Sequence, residues 1–444
     1  MTVILTDNPA DRGNRNTACA DCACDCQCAC PTDGAAIPVL SLPAAYYLEL
    51  TPECNNACPG CGNVFDHLGR VSSPPLDVSG WKTLISSLAA HAQQFKLTGG
   101  EPTLHPDFEA IARHIDALGI PFTLFTNGRW HESDSLLRLL SGLAHFEGFL
   151  ISLHGPDAAA HEAFSGVPGS FEQTAGNIRR AVDAGLDVSL SVVVNRENFN
   201  RIEETLDLAL HLGANHLVVN RLIGAPLLAL TPDEAQLRRA MAAVELLRAG
   251  GQPIRFGNCI PHCFEASSSR GCTAGSTFAT VDAWGRLRPC NHAPLIAGDL
   301  TAQPVEVVWH SAAMRHWRGM LPDGCAACAA FAACHGGCRA QAMLVGAVQD
   351  PLIAAPLSSL VPSVGPELRL WGGLCPVGAF VRCDEPETIV LLNKGAAVPV
   401  SAARLPWLDR LDGALTLRQI QGQCGTAAVD WIGALHQEGM IAWR

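Results

Sequence analysis

The stretch CNNACPGC, residues 54–61, sets three cysteines, Cys54, Cys58 and Cys61, at spacings of four and three residues. Three thiols fall one short of the four donors that close a structural zinc site. Either the fourth donor lies elsewhere in the chain, or one coordination position stays open. The stretch comes shortly after YYLEL, residues 46–50, an apolar run that reads as a buried strand. Pro59 has no N–H and disfavours helical geometry before it, so the thiols sit on a curved loop. In parallel β/α folds, chemistry gathers at loops leaving the carboxyl ends of strands.

Downstream the pattern repeats. The apolar runs FKLTG, PFTLFTN, GFLISLHG, VSLSVVVN and HLVVN alternate with helix-like stretches. In WKTLISSLAAHA, residues 81–92, Trp81, Leu84, Ile85 and Leu88 share one helical face. Similar patterns fall near 106–118, 132–142, 170–184 and 200–212. About six β/α units predict an α/β fold with a parallel sheet covered by helices: a partial (β/α)6, TIM-like barrel over residues 41–235. A connecting helix spans 236–258. Residues 259–383 are rich in cysteine and glycine and form a small second domain. Residues 384–444, with IVLLN and three short amphipathic stretches, form a small winged-helix-like segment.

The strand tips beyond the first are polar or glycine-rich. The second ends in Gly99, Gly100, Glu101 and Pro102, the third in Thr126-Asn127-Gly128, the fourth in Ser152-Leu153-His154-Gly155. Glycine lets backbone approach a ligand closely, and Glu101 offers a carboxylate to a cation. Each tip alone could be a turn. Together, around three thiols, they make a composite site.

These residues resemble the radical SAM enzymes, whose CX3CX2C motif is matched by Cys54, Cys58 and Cys61 and whose SAM-binding motif is matched by GGEP. The resemblance implies a [4Fe–4S] cluster on the three thiols, with the open iron taken by S-adenosylmethionine (SAM). It makes Cys54, Cys58 and Cys61 the catalytic metal ligands. Gly60, Gly99, Gly100, Glu101, Pro102, Asn127, Ser152 and Asn195 would surround SAM, with Glu101 and the Gly99-Gly100 backbone on the methionine amino group. The family often has an aromatic residue before the third cysteine to pack on adenine. Here that residue is Gly60, so adenine packing must come from elsewhere.

Ten further cysteines lie in 259–383. A zinc ribbon is one reading of paired CX2C units, but it needs only four ligands. Cys272-X12-Gly285-X4-Cys290, then CX2CX5CX3C through Cys325, Cys328, Cys334 and Cys338, then a late cysteine, resemble the SPASM extension of radical SAM enzymes. That resemblance implies two auxiliary [4Fe–4S] clusters, three clusters in all. The first would take Cys272, Cys290, Cys338 and one of Cys259 or Cys263. The second would take Cys325, Cys328, Cys334 and Cys375, with Cys383 as the alternative. Relatives that mature sulfatases usually carry Asp after the cysteine matching Cys290. Here Asn291 and His292 follow, which speaks against formylglycine formation.

Composition bounds the partners. A net charge of −12, with no basic run, argues against nucleic acid. The start, MTVILTDNPADR, lacks a signal peptide's basic lead and apolar core. The most apolar later stretch, 340–364, holds Asp350, Pro351 and Pro356 and reads as buried or loop, not a membrane span. Twenty cysteines without an export signal suit metal binding in a reducing, cytoplasmic setting. Residues 1–40, with six cysteines from Cys19 to Cys30, have no apolar face and read as a disordered tail. Segment 384–444 weakly resembles PqqD-type peptide-recognition folds, which would take a leader peptide by strand addition. The leading expectation is hydrogen abstraction from a peptide or protein, such as a precursor peptide, with flavodoxin or ferredoxin as one-electron donor. The alternatives are the same chemistry on a small molecule or cofactor precursor, and a non-catalytic iron–sulfur electron carrier.

Overall fold

A computed structural model describes residues 37–444 except 66–67, 69–72, 225–228, 267, 269–270, 360–372, 386–387, 394–395, 401–403 and 438–439. The six clustered thiols of the expected tail lie outside the described residues.

The six expected strands are present: β1 (Ala45–Glu49), β2 (Gln94–Thr98), β3 (Phe122–Thr126), β4 (Phe146–Ser152), β5 (Val188–Val194) and β6 (His216–Arg221). Each pairs in parallel with the next. Between and after them run α1 (Val78–Leu88), α2 (Phe108–Ala117), α3 (Ser133–Ser141), α4 (Ala158–Ser165), α5 (Ser170–Asp183), α6 (Ile202–His211) and α7 (Glu234–Ala249). The strands bury alternate residues against the helices. Tyr46 and Leu48 of β1, Phe95 and Leu97 of β2, and Leu190 and Val192 of β5 are fully buried. Helix α1 presents Trp81, Leu84, Ile85 and Leu88 to this core, and Asp77 caps it by accepting from the Gly80 N–H at 2.8 Å. Each such buried side chain contributes about 1.5–3 kcal/mol, and the cap about 1 kcal/mol.

The sheet continues past the six units. The segment expected only as a connecting helix holds α7 and then β7 (Ile254–Phe256), parallel to β6. On the opposite edge, β8 (Phe278–Val281) pairs in parallel with β1, followed by antiparallel β9 (Arg286–Arg288) and β10 (Gly298–Asp299). The ten strands run β10-β9-β8-β1-β2-β3-β4-β5-β6-β7. The cysteine-rich part therefore begins as an extension of the main sheet, next to the strand that carries the three thiols.

Short helices α8 (Val305–Trp309), α9 (Ala312–Gly319), α10 (Phe331–Cys334) and α11 (Arg339–Leu344) complete that part. The last segment has β11 (Pro376–Gly378) paired with β15 (Ile441–Trp443), and an antiparallel meander β12 (Val381–Asp384), β13 (Ile389–Asn393) and β14 (Ala396–Val400). Helices α12 (Leu405–Leu408), α13 (Leu417–Cys424) and α14 (Thr426–Gln437) follow β14. Its own core gathers Leu391, Leu417, Ile420, Ile432 and Leu435. A second contact joins it to the foot of the barrel, where Val390 packs with Leu40 and Ala44. Beside this lies a cavity of about 330 Å³ lined by Tyr47, Lys96, Phe278, Phe380 and Leu392. Among the described residues no helix is long and apolar enough to cross a membrane.

Candidate active site and cysteine groups

The loop after β1 is held by backbone from the next strand tip. Gly100 N–H donates to Thr51 O at 2.8 Å, and Glu101 N–H to Glu53 O at 2.7 Å. Such closeness requires glycine. A Cβ on Gly100 would come within 2.1 Å of Glu53 O, and Gly99 (φ 144°) would meet Thr51 O at 2.6 Å. Cys54 and Cys61 are exposed and Cys58 half-buried, so the thiols face the open end of the barrel. Burial pushes the Cys58 thiol up to about 12, with the neighbouring Cys61 and Cys54 thiols adding to it. Cys54 is pushed up as well, again mainly by burial. Both thiols resist ionisation until a cationic centre takes their protons' place.

Asn127, at the tip of β3, reaches the thiol loop. Its side-chain N–H₂ donates to Asn55 Oδ1 at 2.6 Å and lies 3.8 Å from Cys54 Sγ. Arg129 completes the brace, donating to Asn55 O and to Asn56 Oδ1 at 2.7 Å. Sequence reasoning missed this arginine; its one signal is its place two residues beyond the Asn127 tip. Ser152 ends β4 in register with Ser191 of β5, whose hydroxyl accepts from Asn220 of β6 at 3.0 Å.

Two expected SAM contacts are used otherwise. Glu101 is fully buried. Its carboxylate accepts from Thr103 N (3.3 Å) and Oγ1 (2.7 Å), from Thr126 Oγ1 (2.8 and 2.9 Å) and from Asn127 N (2.8 Å). Those four donor groups fill the roughly four lone-pair positions of a carboxylate, so Glu101 clamps the β2 and β3 tips together and has no place for an amino group. Burial pushes its carboxyl up, and the Thr103, Asn127 and Thr126 bonds pull it back. Pro102 starts the short turn behind it. Asn195 is likewise fully buried: its Oδ1 accepts from Glu197 N at 2.8 Å and its N–H₂ donates to Val193 O at 3.2 Å, closing the turn after β5.

Gly60 has a structural explanation. A Cβ there would lie 3.0 Å from the Phe164 ring and 3.1 Å from Leu222 Cδ1. Phe164, from the end of α4, is buried and lies 4.1 Å from the His154 ring, centroid to centroid. The Phe164 ring, from the end of α4, fills the space beside Gly60. The same helix end pins the loop, Ala57 N–H donating to Ser165 O at 2.9 Å. Helix α4, the octapeptide AAAHEAFS capped by Asp157, lies outside the expected helical stretches, the next of which begins at 170.

Eight of the ten later cysteines separate into two groups of four. Cys259, Cys290 and Cys338 are buried together, with Cys272 packed against them. Cys263, Cys325, Cys328 and Cys334 line one cavity of about 190 Å³. The expectation therefore needs correcting at two positions. Cys259 and Cys263 do not compete for one place but stand in different groups. Cys375, expected beside Cys325, is not among that cavity's lining; its backbone pairs with Arg444 at 2.9 and 3.0 Å, at the β11–β15 edge. Cys383 lies on β12 and packs with Leu40 and Val390.

Both groups suit an iron–sulfur cluster. Each offers four thiols, none of them paired in a disulfide. Backbone N–H groups point at the sulfurs: Ala354 to Cys263 (3.3 Å), Leu357 to Cys328 (3.3 Å), His262 to Cys334 (3.4 Å) and Gln341 to Cys338 (3.4 Å), the kind of hydrogen bond that tunes such clusters. Among the described residues no three His, Cys, Asp or Glu side chains close on a single ion.

The cysteine-rich part is locked to the three-thiol loop. Arg288 of β9 is buried and donates to the Glu49 carboxylate of β1, to Asn291 O (3.1 Å) and to Ala293 O (3.0 Å). His292 lies against Gly62, its Nδ1–H donating to Gly62 O at 2.7 Å. Burial pushes its imidazole down, towards the neutral form. This histidine braces the loop one residue past Cys61.

A parallel barrel sheet with a three-thiol loop at its open end, flanked by two closed four-thiol groups, defines a SAM-dependent iron–sulfur enzyme. Comparison with known families agrees: the Radical SAM superfamily matches residues 48–209, and the SPASM iron–sulfur cluster-binding domain matches 272–335. The chain belongs to the radical SAM superfamily and carries a SPASM domain. It is similar to PqqA peptide cyclase of Rhodopseudomonas palustris, 30% identical over 343 residues, 72% of this chain and 89% of that protein. It is also similar to AdoMet-dependent heme synthase of Methanosarcina barkeri, 27% identical over 334 residues, 69% of this chain and 94% of that protein. Streptococcus suis SuiB, solved bound to precursor peptide SuiA, shares the fold with a TM-score of 0.59 at 17% identity, over 71% of this chain and 76% of SuiB.

Proposed function

We propose that this enzyme modifies a peptide, a ribosomally made precursor, by SAM-dependent hydrogen abstraction. The observation that carries this reading is the open three-thiol loop, ringed by glycine backbone, in a chain that aligns with 89% of a PqqA peptide cyclase. A [4Fe–4S] cluster on Cys54, Cys58 and Cys61 would supply the electron that splits SAM to a 5′-deoxyadenosyl radical. The chain's own residues keep that loop in place: Asn127 and Arg129 brace Cys54 to Asn56, and His292 holds Gly62. The backbone of Gly99 and Gly100 is the proposed seat of the methionine group, with Ser152, at the end of β4, as a further proposed contact.

Two auxiliary clusters bring the total to three. The first is assigned to Cys259, Cys272, Cys290 and Cys338, the second to Cys263, Cys325, Cys328 and Cys334. Flavodoxin or ferredoxin is the proposed electron donor. The meander β12–β14 with α12–α14 is proposed to take the substrate's leader along a free sheet edge.

The test is iron analysis joined to SAM cleavage on anaerobically reconstituted protein. The intact chain should hold about twelve irons and form 5′-deoxyadenosine on reduction. Cys263→Ala should fall to about eight, and Cys375→Ala should stay near twelve. No cleavage by the intact protein removes the enzymatic reading; iron loss on Cys375→Ala removes this ligand assignment.

A further inference from the structure

Arg339 directly follows Cys338 and starts α11. It is 4% exposed, yet its Nε and Nη1 donors have no hydrogen-bond partner. A buried guanidinium cannot shed its charge, and an uncompensated buried cation is strongly unfavourable. The neighbouring arginine is different. Arg221 is bidentate to Asp350 at 3.0 and 2.6 Å, and Asp350 also accepts from Cys338 N–H at 2.7 Å. Arg221 thus has its counter-ion within the protein, whereas Arg339 forms no ion pair among the described residues. What lies beside Arg339 is the first thiol group: Cys338 directly precedes it and is buried with Cys259 and Cys290, with Cys272 packed against them.

Among the described residues the second group has no such neighbour. Its cavity is lined by Pro261, Phe331, Ile353, Pro356 and the four cysteines, with no Lys or Arg among the described residues. A cluster with four thiolates is net anionic, and gaining an electron adds one more negative charge. A cation within reach favours that step; an apolar wall does not.

We infer that the orphaned guanidinium donors of Arg339 are directed at the cluster held by Cys259, Cys272, Cys290 and Cys338, and that they make it the more easily reduced of the two auxiliary clusters. This rests on the two-cluster reading above. Each reduction moves one electron from the external reductant to the cluster, with no bond made or broken in the chain. Arg339 is a tuning residue, not a catalytic one.

The experiment is a dithionite titration of the full-length reconstituted protein followed by electron paramagnetic resonance. Cys272→Ala and Cys328→Ala identify which signal belongs to which auxiliary cluster. In the unaltered protein, the signal lost in Cys272→Ala should be reduced first. In Arg339→Met its reduction equilibrium should fall about tenfold, a shift of about 59 mV for one electron. Arg339→Lys should keep most of the original value, and the other signal should not move. The inference is overturned if the order of reduction is reversed, or if Arg339→Met leaves the first signal in place. It is equally overturned if Arg339→Lys behaves like Arg339→Met, in potential or in lost iron, because packing and not charge would then be at work. An unaltered protein holding only about four irons would instead remove the auxiliary-cluster reading itself.

Discussion

Replacing Glu101 by Gln changes one carboxylate oxygen into an amide N–H₂ and little else. The site is surrounded by donors: Thr103 N–H and O–H on one oxygen, Asn127 N–H on the other, and Thr126 O–H between them. Either orientation of the new amide sets donor against donor. The less costly one puts the nitrogen towards Asn127, leaving that buried N–H without an acceptor at about 1–3 kcal/mol. The surviving bonds become neutral and lose about 1 kcal/mol more. The expected destabilisation is about 2–4 kcal/mol, measured by urea unfolding of apoprotein. It should be accompanied by weaker iron retention, since Asn127 also braces Asn55 and Cys54. SAM binding, followed by equilibrium dialysis on whatever fraction reconstitutes, should be lowered only in step with the iron. If Glu101→Gln unfolds like the unaltered protein but fails to bind SAM, the clamp argument is wrong and Glu101 faces the ligand after all.

Gly60→Tyr should not restore the family's usual aromatic. It must displace Phe164 and Leu222, which approach within 3.0 and 3.1 Å of the Cβ position, so we expect a cost of about 1–3 kcal/mol in thermal unfolding and no gain in SAM affinity. Stability should also depend on pH through His161. It is buried, its Nδ1 accepts from His154 N–H at 3.1 Å, and burial lowers its pKa to about 4. The unfolded chain titrates near 6.5, so between pH 6.5 and 4 it binds a proton that the folded chain refuses. Stability is therefore kept above 6.5 and falls by about 3 kcal/mol as pH drops to 4. His161→Leu should lessen that slope in urea unfolding of apoprotein; an unchanged slope would show that His161 is not its source.

Much of this was legible beforehand because it is local. The six strands are short runs with their own apolar signal, and Cys54, Cys58, Cys61 and the Gly99-Gly100 tip are set by spacing alone. What escaped depends on chain segments meeting at a distance. β8 is four residues long and joins β1 across more than two hundred residues, and no local period announces such a pairing. Cys263 and Cys375 look alike in sequence; only the turn that carries Cys263 beside Cys334 separates them. Glu101 was readable as a carboxylate at the right tip. Its saturation was not, since two of its four donor groups come from β3 and the residue after it. Phe164 filling the space at Gly60 is a contact between segments about a hundred residues apart.

The edge contact between β1 and β8 has a practical consequence for anyone building hybrids of such enzymes. A cut at residue 259 looks natural in the sequence, but β8, β9 and Arg288 lie beyond it and complete the side of the sheet bearing the three-thiol loop. A barrel donated without them would expose the β1 edge and leave the buried Glu49 carboxylate without its cation, while a foreign replacement would have to reproduce both the strand register Ala45↔Phe278 and an arginine at the matching place on the next strand. The transferable unit is thus the barrel together with residues through β10, and substrate range is better exchanged at the junction before Pro376, where the chain passes into a segment with a core of its own.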